Sequence, residues 1–175
     1  MHPQFRIHNR TAFDLGLLKM TKPLDYSTDV QPISLPSRGS ILPDGTKGTF
    51  IGWGATQYEP YPIRPDVLQA MEATTISIQD CQVSWPKLAI DKLGNNTICV
   101  SSETNSATPF KDGCMGDSGG PFVVNNVQWG LLAYSSENCT GVFPIQFIGL
   151  SRFTSWIRNT ISRDYYRKRR TTAAV

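Results

Sequence analysis

The chain has 175 residues, of which 39% are hydrophobic and 18% charged. This composition supplies enough apolar material for one sizeable core, so disorder is not expected. The formal net charge of +3 arises at residues 163–170, where five basic side chains accompany one acidic one. The rest of the chain is close to neutral, and nucleic-acid binding is not expected of it. No apolar run approaches the ~18 residues that a membrane span requires.

The cysteines and glycosylation sequons indicate an oxidising compartment. Four cysteines without C-x-x-C spacing favour two disulfides over a zinc or thioredoxin-type site, and their number alone leaves all pairings open. Three N-x-T sequons are compatible with the secretory pathway, and an extracellular location is therefore expected. These residues are Cys81, Cys99, Cys114 and Cys139, and Asn9, Asn95 and Asn138.

The opening of the chain does not fit this location. Its first residues lack the basic-then-apolar pattern of a secretory signal. A secreted protein needs such a leader. We therefore expect that Met1 is not the start of the natural protein.

The predicted elements, in chain order, begin with a short N-terminal piece. Residues 23–48 are rich in proline, glycine and serine and predict a connector to the main body. After it, short β-rich runs at 50–53, 74–78 and 97–100 are separated by clusters of turn residues, a pattern typical of strands. An all-β sandwich or barrel is the predicted fold class.

Two later elements are clearer. Asn125 and Asn126 tolerate the positive φ of a tight turn, so they predict a hairpin between strands at 121–124 and 127–134. Near the end, apolar side chains recur at helical spacing, at Phe153, Trp156, Ile157 and Ile161. The sequence thus predicts a β body with one terminal helix.

The strongest chemical motif is Gly-Asp-Ser-Gly-Gly-Pro at residues 116–121. A serine hydroxyl becomes a useful nucleophile when it is exposed beside a base and near backbone amides that bind an oxyanion. Gly116 lets the chain turn so that its N–H and that of Ser118 can converge, and the following glycines leave room for a substrate backbone. A bare G-x-S-G favours an ordinary turn, whereas six such residues after Cys114 favour a catalytic serine.

With this motif the chain resembles the trypsin/chymotrypsin family of serine endopeptidases. The resemblance begins at His2-Pro3 and ends at Ser-Trp-Ile, residues 155–157. Between them it includes Asp-Leu-Gly-Leu-Leu-Lys at 14–19, Ile-Ser-Leu-Pro at 33–36 and Gly-Trp-Gly at 52–54.

The resemblance implies a chymotrypsin-like all-β fold with a C-terminal helix. The second Greek-key barrel is expected to be nearly complete and the first only partly present. Residues 1–30 are then a remnant of the first barrel and the start of the connector, and residues 31–162 are the second barrel with its helix. Residues 163–175 are expected to be a disordered basic tail.

The resemblance also implies roles for individual residues. Ser118 looks like the nucleophile, and Asp14 looks like the carboxylate that orients the catalytic histidine. The amides of Gly116 and Ser118 would form the oxyanion hole. Two disulfides are implied, each contributing about 3 kcal/mol in the chain-entropy model. They are Cys81 with Cys99, and Cys114 with Cys139.

The catalytic histidine of the family has no counterpart here. In the family it lies before the segment that His2 resembles, in an Ala-Ala-His-Cys-like context that this sequence lacks. Neither His2 nor His8 is expected to act as the base. The activated amino terminus of the family is absent as well, so Asp117 is expected to lack its partner. The chain alone is therefore expected to be inactive.

The primary specificity pocket shows departures from the family pattern. Asp112 resembles the acid at its base, which would attract arginine or lysine, although Lys-Asp-Gly is also an ordinary surface turn. Ser135 and Ile145 resemble its two wall glycines, and Ile145 would narrow it. Tyr134 replaces the tryptophan that lines the cleft, and Ala133 replaces a serine near the triad aspartate.

These features predict a trypsin-like serine endopeptidase that hydrolyses peptide bonds through an acyl-enzyme on Ser118. Its partners would be protein or peptide substrates and macromolecular inhibitors. No nucleic acid, membrane span, metal or organic cofactor is implied. The alternative is a non-catalytic homologue that uses the scaffold for binding or regulation. Ala133, Ser135 and Ile145 favour the alternative, whereas the intact serine motif and Asp14 oppose it.

Overall fold

The computed structural model describes residues 1–5, 13–56, 60–85, 96–102, 113–136, 139 and 141–172. Its strands close into a barrel in the order β1-β2-β3-β6-β5-β4, and every neighbouring pair is antiparallel. The all-β expectation is therefore confirmed. The strands are β1 (Lys47–Gly52), β2 (Gln69–Ile76), β3 (Thr97–Ser102), β4 (Pro121–Val124), β5 (Val127–Tyr134) and β6 (Ile145–Gly149).

Inward-facing side chains fill the barrel. Burial alternates residue by residue along β4, as expected of a strand with one covered face. By contrast, β6 is buried throughout, because its outer face at Ile148 packs in a second cluster that also contains Phe153 and Ile157. The inner cluster consists of Phe50, Met71, Ala73, Val100, Phe122, Val124, Leu132, Ile145 and Phe147.

The predicted hairpin is confirmed. Asn125 and Asn126 have φ angles of 49° and 58°, and they connect β4 to β5 through the closing pair Val124 and Val127. Asparagine adopts this left-handed region more readily than other non-glycine residues. The hairpin carries the chain from the serine motif directly into β5, the strand beside which the candidate site lies.

Two α-helices flank the barrel in the described part of the chain. Helix α1 (Ile78–Ser84) begins after Ser77, whose Oγ accepts the N–H of Asp80 at 3.0 Å. A 3₁₀ turn at Leu150–Arg152 leads into α2 (Thr154–Thr172). Among the described residues, no helix is both long and apolar enough to cross a bilayer.

Helix α2 confirms the predicted terminal helix and continues beyond it. The Oγ1 of buried Thr154 donates to the C=O of Pro36 at 2.9 Å, which ties the start of the helix to the connector. Residues 163–172, which belong to the segment expected to be disordered, are helical. No glycine or proline interrupts this stretch, and Asp164 forms an ion pair with Lys19.

Two disulfides brace the barrel: Cys81–Cys99 and Cys114–Cys139. This is the pairing that the family resemblance implies. The first joins α1 to β3, and the second holds the chain just before the serine motif. They close loops of 18 and 25 positions, for which the chain-entropy model gives about 3 kcal/mol each.

The first residues of the chain dock on α2 through an aromatic cluster. The ring of His2 stacks on Phe13 with centroids 5.0 Å apart, and it lies 4.7 Å from the ring of Trp156 and 5.4 Å from that of Phe153. The backbone N–H of His2 donates to the C=O of Leu15 at 2.9 Å. The imidazole of His2 is thus packed against three aromatic rings.

Stability should depend on pH through His2. Burial, and secondarily the positive amino terminus, lower the pKa of His2 below its usual 6.5. The unfolded chain then binds more protons than the folded chain once the pH falls to about 6.5, so the stability present above this pH is progressively lost below it. Thermal melts at about pH 7.5 and 5.5 should show this fall in Tm. His2→Phe cannot be protonated and should reduce the fall; an identical pH profile in that variant would contradict the assignment.

Stability should also increase when Gln146 is made apolar. Gln146 lies on β6 and is 1% exposed, and its amide nitrogen and oxygen have no hydrogen-bond partner in the described part of the chain. An unpaired buried amide costs about 1–3 kcal/mol. We expect Gln146→Met, which has a similar shape, to raise the free energy of unfolding in urea by about 1 kcal/mol.

The matched control is Gln128→Met on β5, where the side chain is only half-buried. This change should alter the free energy of unfolding by less than about 0.5 kcal/mol. A Gln146→Met variant that is less stable than the parent would show that the amide is satisfied after all.

Candidate active site

Residues 113–120, which we name the serine loop, consist of two consecutive turns before β4. The N–H of Asp117 donates to the C=O of Cys114 at 3.0 Å. The N–H of Gly119 donates to the C=O of Leu132 at 2.8 Å, which docks the loop on β5. Between these two anchored points Ser118 is exposed.

The carboxylate of Asp117 anchors the serine loop to the interior. Asp117 is 7% exposed. Its Oδ1 accepts the N–H of Gly54 at 2.7 Å, and its Oδ2 accepts the N–H of Cys114 at 2.9 Å. Charge-assisted bonds of this kind offset the cost of burying a carboxylate. Backbone N–H groups of the chain itself thus bind both oxygens of Asp117. The expectation that Asp117 lacks the activated amino terminus of the family as its partner stays a prediction.

Glycines make room for this carboxylate. A Cβ at Gly52 would lie 1.9 Å from Oδ1 of Asp117, and a Cβ at Gly54 would lie 2.2 Å from its Cγ. The motif Gly-Trp-Gly thus shapes the cradle of the aspartate. On the loop itself Gly116 has a φ of 102°, a conformation that side chains rarely permit.

Two backbone donors beside the serine are unused. Gly116 and Ser118 are both exposed, and neither N–H donates to an acceptor in the described residues. An oxyanion hole requires free N–H groups of this kind next to the nucleophile. The oxyanion-hole role stays a prediction, and these free donors support it.

Asp14 lies on a segment that packs against the same strand. It is exposed, and its two neighbours in sequence pack into the cluster that also includes Ala133. Ala133 follows Leu132, whose C=O binds the serine loop. The end of β5 therefore contributes both to the cluster beside Asp14 and to the anchor of the serine loop. The roles of these two side chains in catalysis stay predictions.

The histidines are engaged elsewhere or lie outside the described residues. The Nδ1 of His2 accepts the N–H of Gln4 at 3.2 Å, and its ring is packed in the aromatic cluster on α2. His8 lies outside the described residues. The expectation that neither one serves Ser118 stays a prediction.

The predicted pocket residues are partly brought together. Asp112 lies outside the described residues, but the next residue, Gly113, is buried. A Cβ at Gly113 would lie 3.5 Å from the Cβ of Ser135 and 3.6 Å from the Cγ2 of Ile145. Ile145 is 1% exposed and belongs to the inner barrel cluster. Its side chain therefore lies in the barrel core close to Gly113, and its role as a pocket wall stays a prediction.

An aromatic group that sequence reasoning missed supports this region. Tyr134, predicted to line the cleft, is half-buried and packs on Trp85 with ring centroids 5.0 Å apart. Trp85 also stacks on Phe143 at 4.8 Å, and its Nε1–H donates to the C=O of Pro144 at 3.0 Å. These contacts fix the segment that leads into Ile145. In the sequence, a lone tryptophan after a short helix gives no signal of this role.

Known proteins are similar in sequence to most of this chain. The sequence profile of the family described as Trypsin matches residues 1–157. Trypsin II-P29 of Gallus gallus is 34% identical over 149 residues, which cover 85% of this chain and 56% of that protein. Kallikrein-5 of Homo sapiens is 30% identical over 164 residues, which cover 93% of this chain and 52% of that protein. The chain therefore belongs to the trypsin family of serine proteases.

A solved structure supports the fold independently. Neuropsin, a serine protease expressed in the limbic system of mouse brain, superposes with a TM-score of 0.76 at 24% identity, covering 91% of this chain and 68% of that chain. The chymotrypsin-like fold class is confirmed. The chain spans about half the length of the curated relatives that it matches. The activity and the substrates of the whole protein are accordingly proposals.

The close packing of Gly54 against Asp117 predicts that adding one methyl group at Gly54 lowers stability. In Gly54→Ala the new Cβ would overlap the carboxylate of Asp117. The carboxylate must then move away from the buried backbone N–H groups that bind it. We expect a loss of about 2 kcal/mol or more in the free energy of unfolding, measured in urea. Gly16→Ala is the control, because within the described residues its Cβ would meet only Met1, at 3.7 Å. Equal stability of the two variants would contradict the role of Gly54.

Proposed function

We propose that this chain is the nucleophile-bearing part of a secreted serine endopeptidase. One observation carries the proposal: Ser118 is exposed on an anchored loop beside two N–H groups that have no acceptor in the described residues. Membership of the trypsin family and the two disulfides support the assignment and the extracellular location.

The reaction follows from this arrangement. The Oγ of Ser118 bonds to the carbonyl carbon of the scissile peptide and gives its proton to a base. The carbonyl oxygen becomes an oxyanion, which the N–H groups of Gly116 and Ser118 bind. The leaving amine departs with the proton from the base, and water then hydrolyses the acyl-enzyme. Asp14 orients the base and stabilises its protonated form.

The base in this scheme is a histidine from outside the present sequence. The 175 residues contain two histidines and no Ala-Ala-His-Cys-like context. Without a base the hydroxyl of Ser118 stays protonated and reacts poorly. The chain alone retains only the oxyanion hole and substrate binding, which give a small part of the rate of a complete triad.

The pocket favours a short side chain on the acyl side of the scissile bond. Asp112 would attract an arginine or lysine, but Ile145, which resembles a wall glycine of the pocket, is a larger side chain and lies in the inner barrel cluster close to Gly113. A guanidinium that cannot reach the carboxylate forfeits both packing and paired hydrogen bonds. Cleavage after arginine or lysine is therefore weak in this proposal.

The same side chain favours a second candidate function. Ile145 is 1% exposed, and Ala133 stands where the family resemblance places a serine near the triad aspartate. A scaffold with a filled pocket suits a non-catalytic homologue that binds or regulates other proteins. The intact serine loop favours the endopeptidase, so the reactivity of Ser118 decides between the two.

Labelling of Ser118 by a fluorophosphonate tests the proposed function. The present chain should not label appreciably, because no base activates the hydroxyl. The chain extended upstream on its own gene should label stoichiometrically at Ser118, as located by peptide mass spectrometry. The extended Ser118→Ala variant is the control and should not label.

Two results would overturn parts of this proposal. Rapid labelling of the present chain would show that a base lies within it. An extended chain that stays unlabelled, although its thermal melt is cooperative, would favour the non-catalytic homologue.

A further inference from the structure

Helix α2 extends beyond the part of the chain that the Trypsin profile matches. The matched residues end at 157, whereas α2 continues to Thr172. We name residues 158–172 the basic extension, which is about 22 Å long at the rise of an α-helix. Directly after buried Ile157, every residue from 158 to 165 is exposed. The barrel therefore leaves the first half of the basic extension uncovered.

Positive charge dominates the basic extension. It contains six basic residues and one acidic residue, Asp164. The carboxylate of Asp164 forms an ion pair with Lys19 of the N-terminal segment, so its charge is already compensated from outside the helix. Dense blocks of one charge commonly serve as interaction surfaces for polymers of the opposite charge. The basic residues are Arg158, Arg163, Arg167, Lys168, Arg169 and Arg170.

The ion pair of Asp164 also indicates which side of α2 faces the body of the protein. Buried Ile157 and Asp164 are seven positions apart, which is about two helical turns, so both lie on the face that contacts the rest of the chain. Arg163, Arg167 and Arg170 are spaced four and three positions apart and share another face of the helix. This second face lies about 100° around the helix axis from the first. The three positions, which we name the arginine row, thus form a line about 10 Å long beside the body.

The composition of the basic extension favours a soluble polyanion over a bilayer. Residues 162–172 contain two tyrosines and no leucine, isoleucine, valine, phenylalanine or tryptophan. A helix that lies in a membrane interface needs a broad apolar face beside its basic one. A line of arginine positions instead matches a linear polymer with repeated oxyanions, because a planar guanidinium binds such groups through paired N–H donors. In the extracellular location proposed above, polymers of this kind are sulfated polysaccharides.

We propose that the arginine row binds a linear sulfated polysaccharide and thereby retains the protein on extracellular surfaces that carry one. This inference goes beyond the proposed function, because it involves no residue of the serine loop and holds whether or not Ser118 is reactive. The groups recognised are the sulfates. Since each exposed ion pair is weak and screened, the affinity comes from the number of contacts and should fall steeply with salt.

Calorimetric titration of the 175-residue chain with a short, size-defined heparin fragment tests the inference. We expect the affinity to fall by at least about thirtyfold between ~50 and ~200 mM salt, as three or more released counterions require. The same fragment after chemical desulfation keeps its carboxylates. It should bind at least about tenfold more weakly at ~50 mM salt.

Triple variants of the arginine row assign the binding to these positions. Arg163→Gln, Arg167→Gln and Arg170→Gln combined should weaken binding of the heparin fragment by at least about tenfold at ~50 mM salt. The slope of log Kd against log salt should become shallower by about 2 to 3. Replacement of the same three arginines by lysine keeps the charges and should restore most of the affinity.

The matched control removes three charges from other faces of the same helix. Arg158→Gln, Lys168→Gln and Arg169→Gln combined should weaken binding by at most about threefold, through the lower overall potential alone. Glutamine is a good helix former, so both triple glutamine variants should keep the helix content of the parent in far-UV circular dichroism.

The outcomes decide the inference separately from the proposed function. Equal losses in the two triple glutamine variants would overturn the arginine row, because net charge alone would then determine the affinity. Binding that does not depend on sulfation would overturn the sulfates as the groups recognised. Tighter binding to phosphatidylserine vesicles or to duplex DNA than to heparin at ~150 mM salt would overturn the choice of polysaccharide. None of these results changes the labelling of Ser118, which tests the proposed function.

Discussion

The carboxylate of Asp117 is buried, and the candidate site depends on the two backbone N–H groups that bind it. An ionised carboxylate is costly to bury unless donors surround it. Here one donor comes from Gly54, beyond the end of β1, and the other from Cys114, which is disulfide-bonded to Cys139. The Asp117 side chain thus ties the serine loop to the segment after β1, and the disulfide ties the same loop to Cys139. Because Ser118 is the next residue, its position is a property of the barrel and not of the serine loop alone.

Strand β5 provides the second constraint on the site. Its Leu132 binds the serine loop through backbone bonds at both its C=O and its N–H, while Ala133 packs on the cluster that also contains Leu15, the neighbour of Asp14. A strand inside a closed barrel is paired on both edges and has little freedom to shift. One paired strand therefore contributes both to the anchor of the serine loop and to the cluster beside Asp14, although Asp14 and Ser118 are 104 positions apart in the sequence. This is the kind of support that a preorganised site requires.

Local sequence signals predicted the parts of the fold that local physics determines. Asn125 and Asn126 carry their own turn preference, and the hairpin was predicted with its correct strands. Strand β6 was not predicted as a strand, because it is buried on both faces and shows no alternation of polar and apolar residues. The serine motif identified the loop, but the proximity of Arg64 to Gly116 depends on the closed barrel. No sequence pattern encodes a contact of that kind between loops.

Ile145 couples the predicted pocket to the barrel core. Its side chain lies in the inner barrel cluster and also beside Gly113, next to the predicted base of the pocket. Glycine at this position would open space for a long substrate side chain, but it would also leave a cavity in the core, at a cost of several kcal/mol. Trp85 adds to the constraint, because its bond to Pro144 holds the segment just before Ile145. A wide basic-specific pocket therefore requires compensating changes in the core.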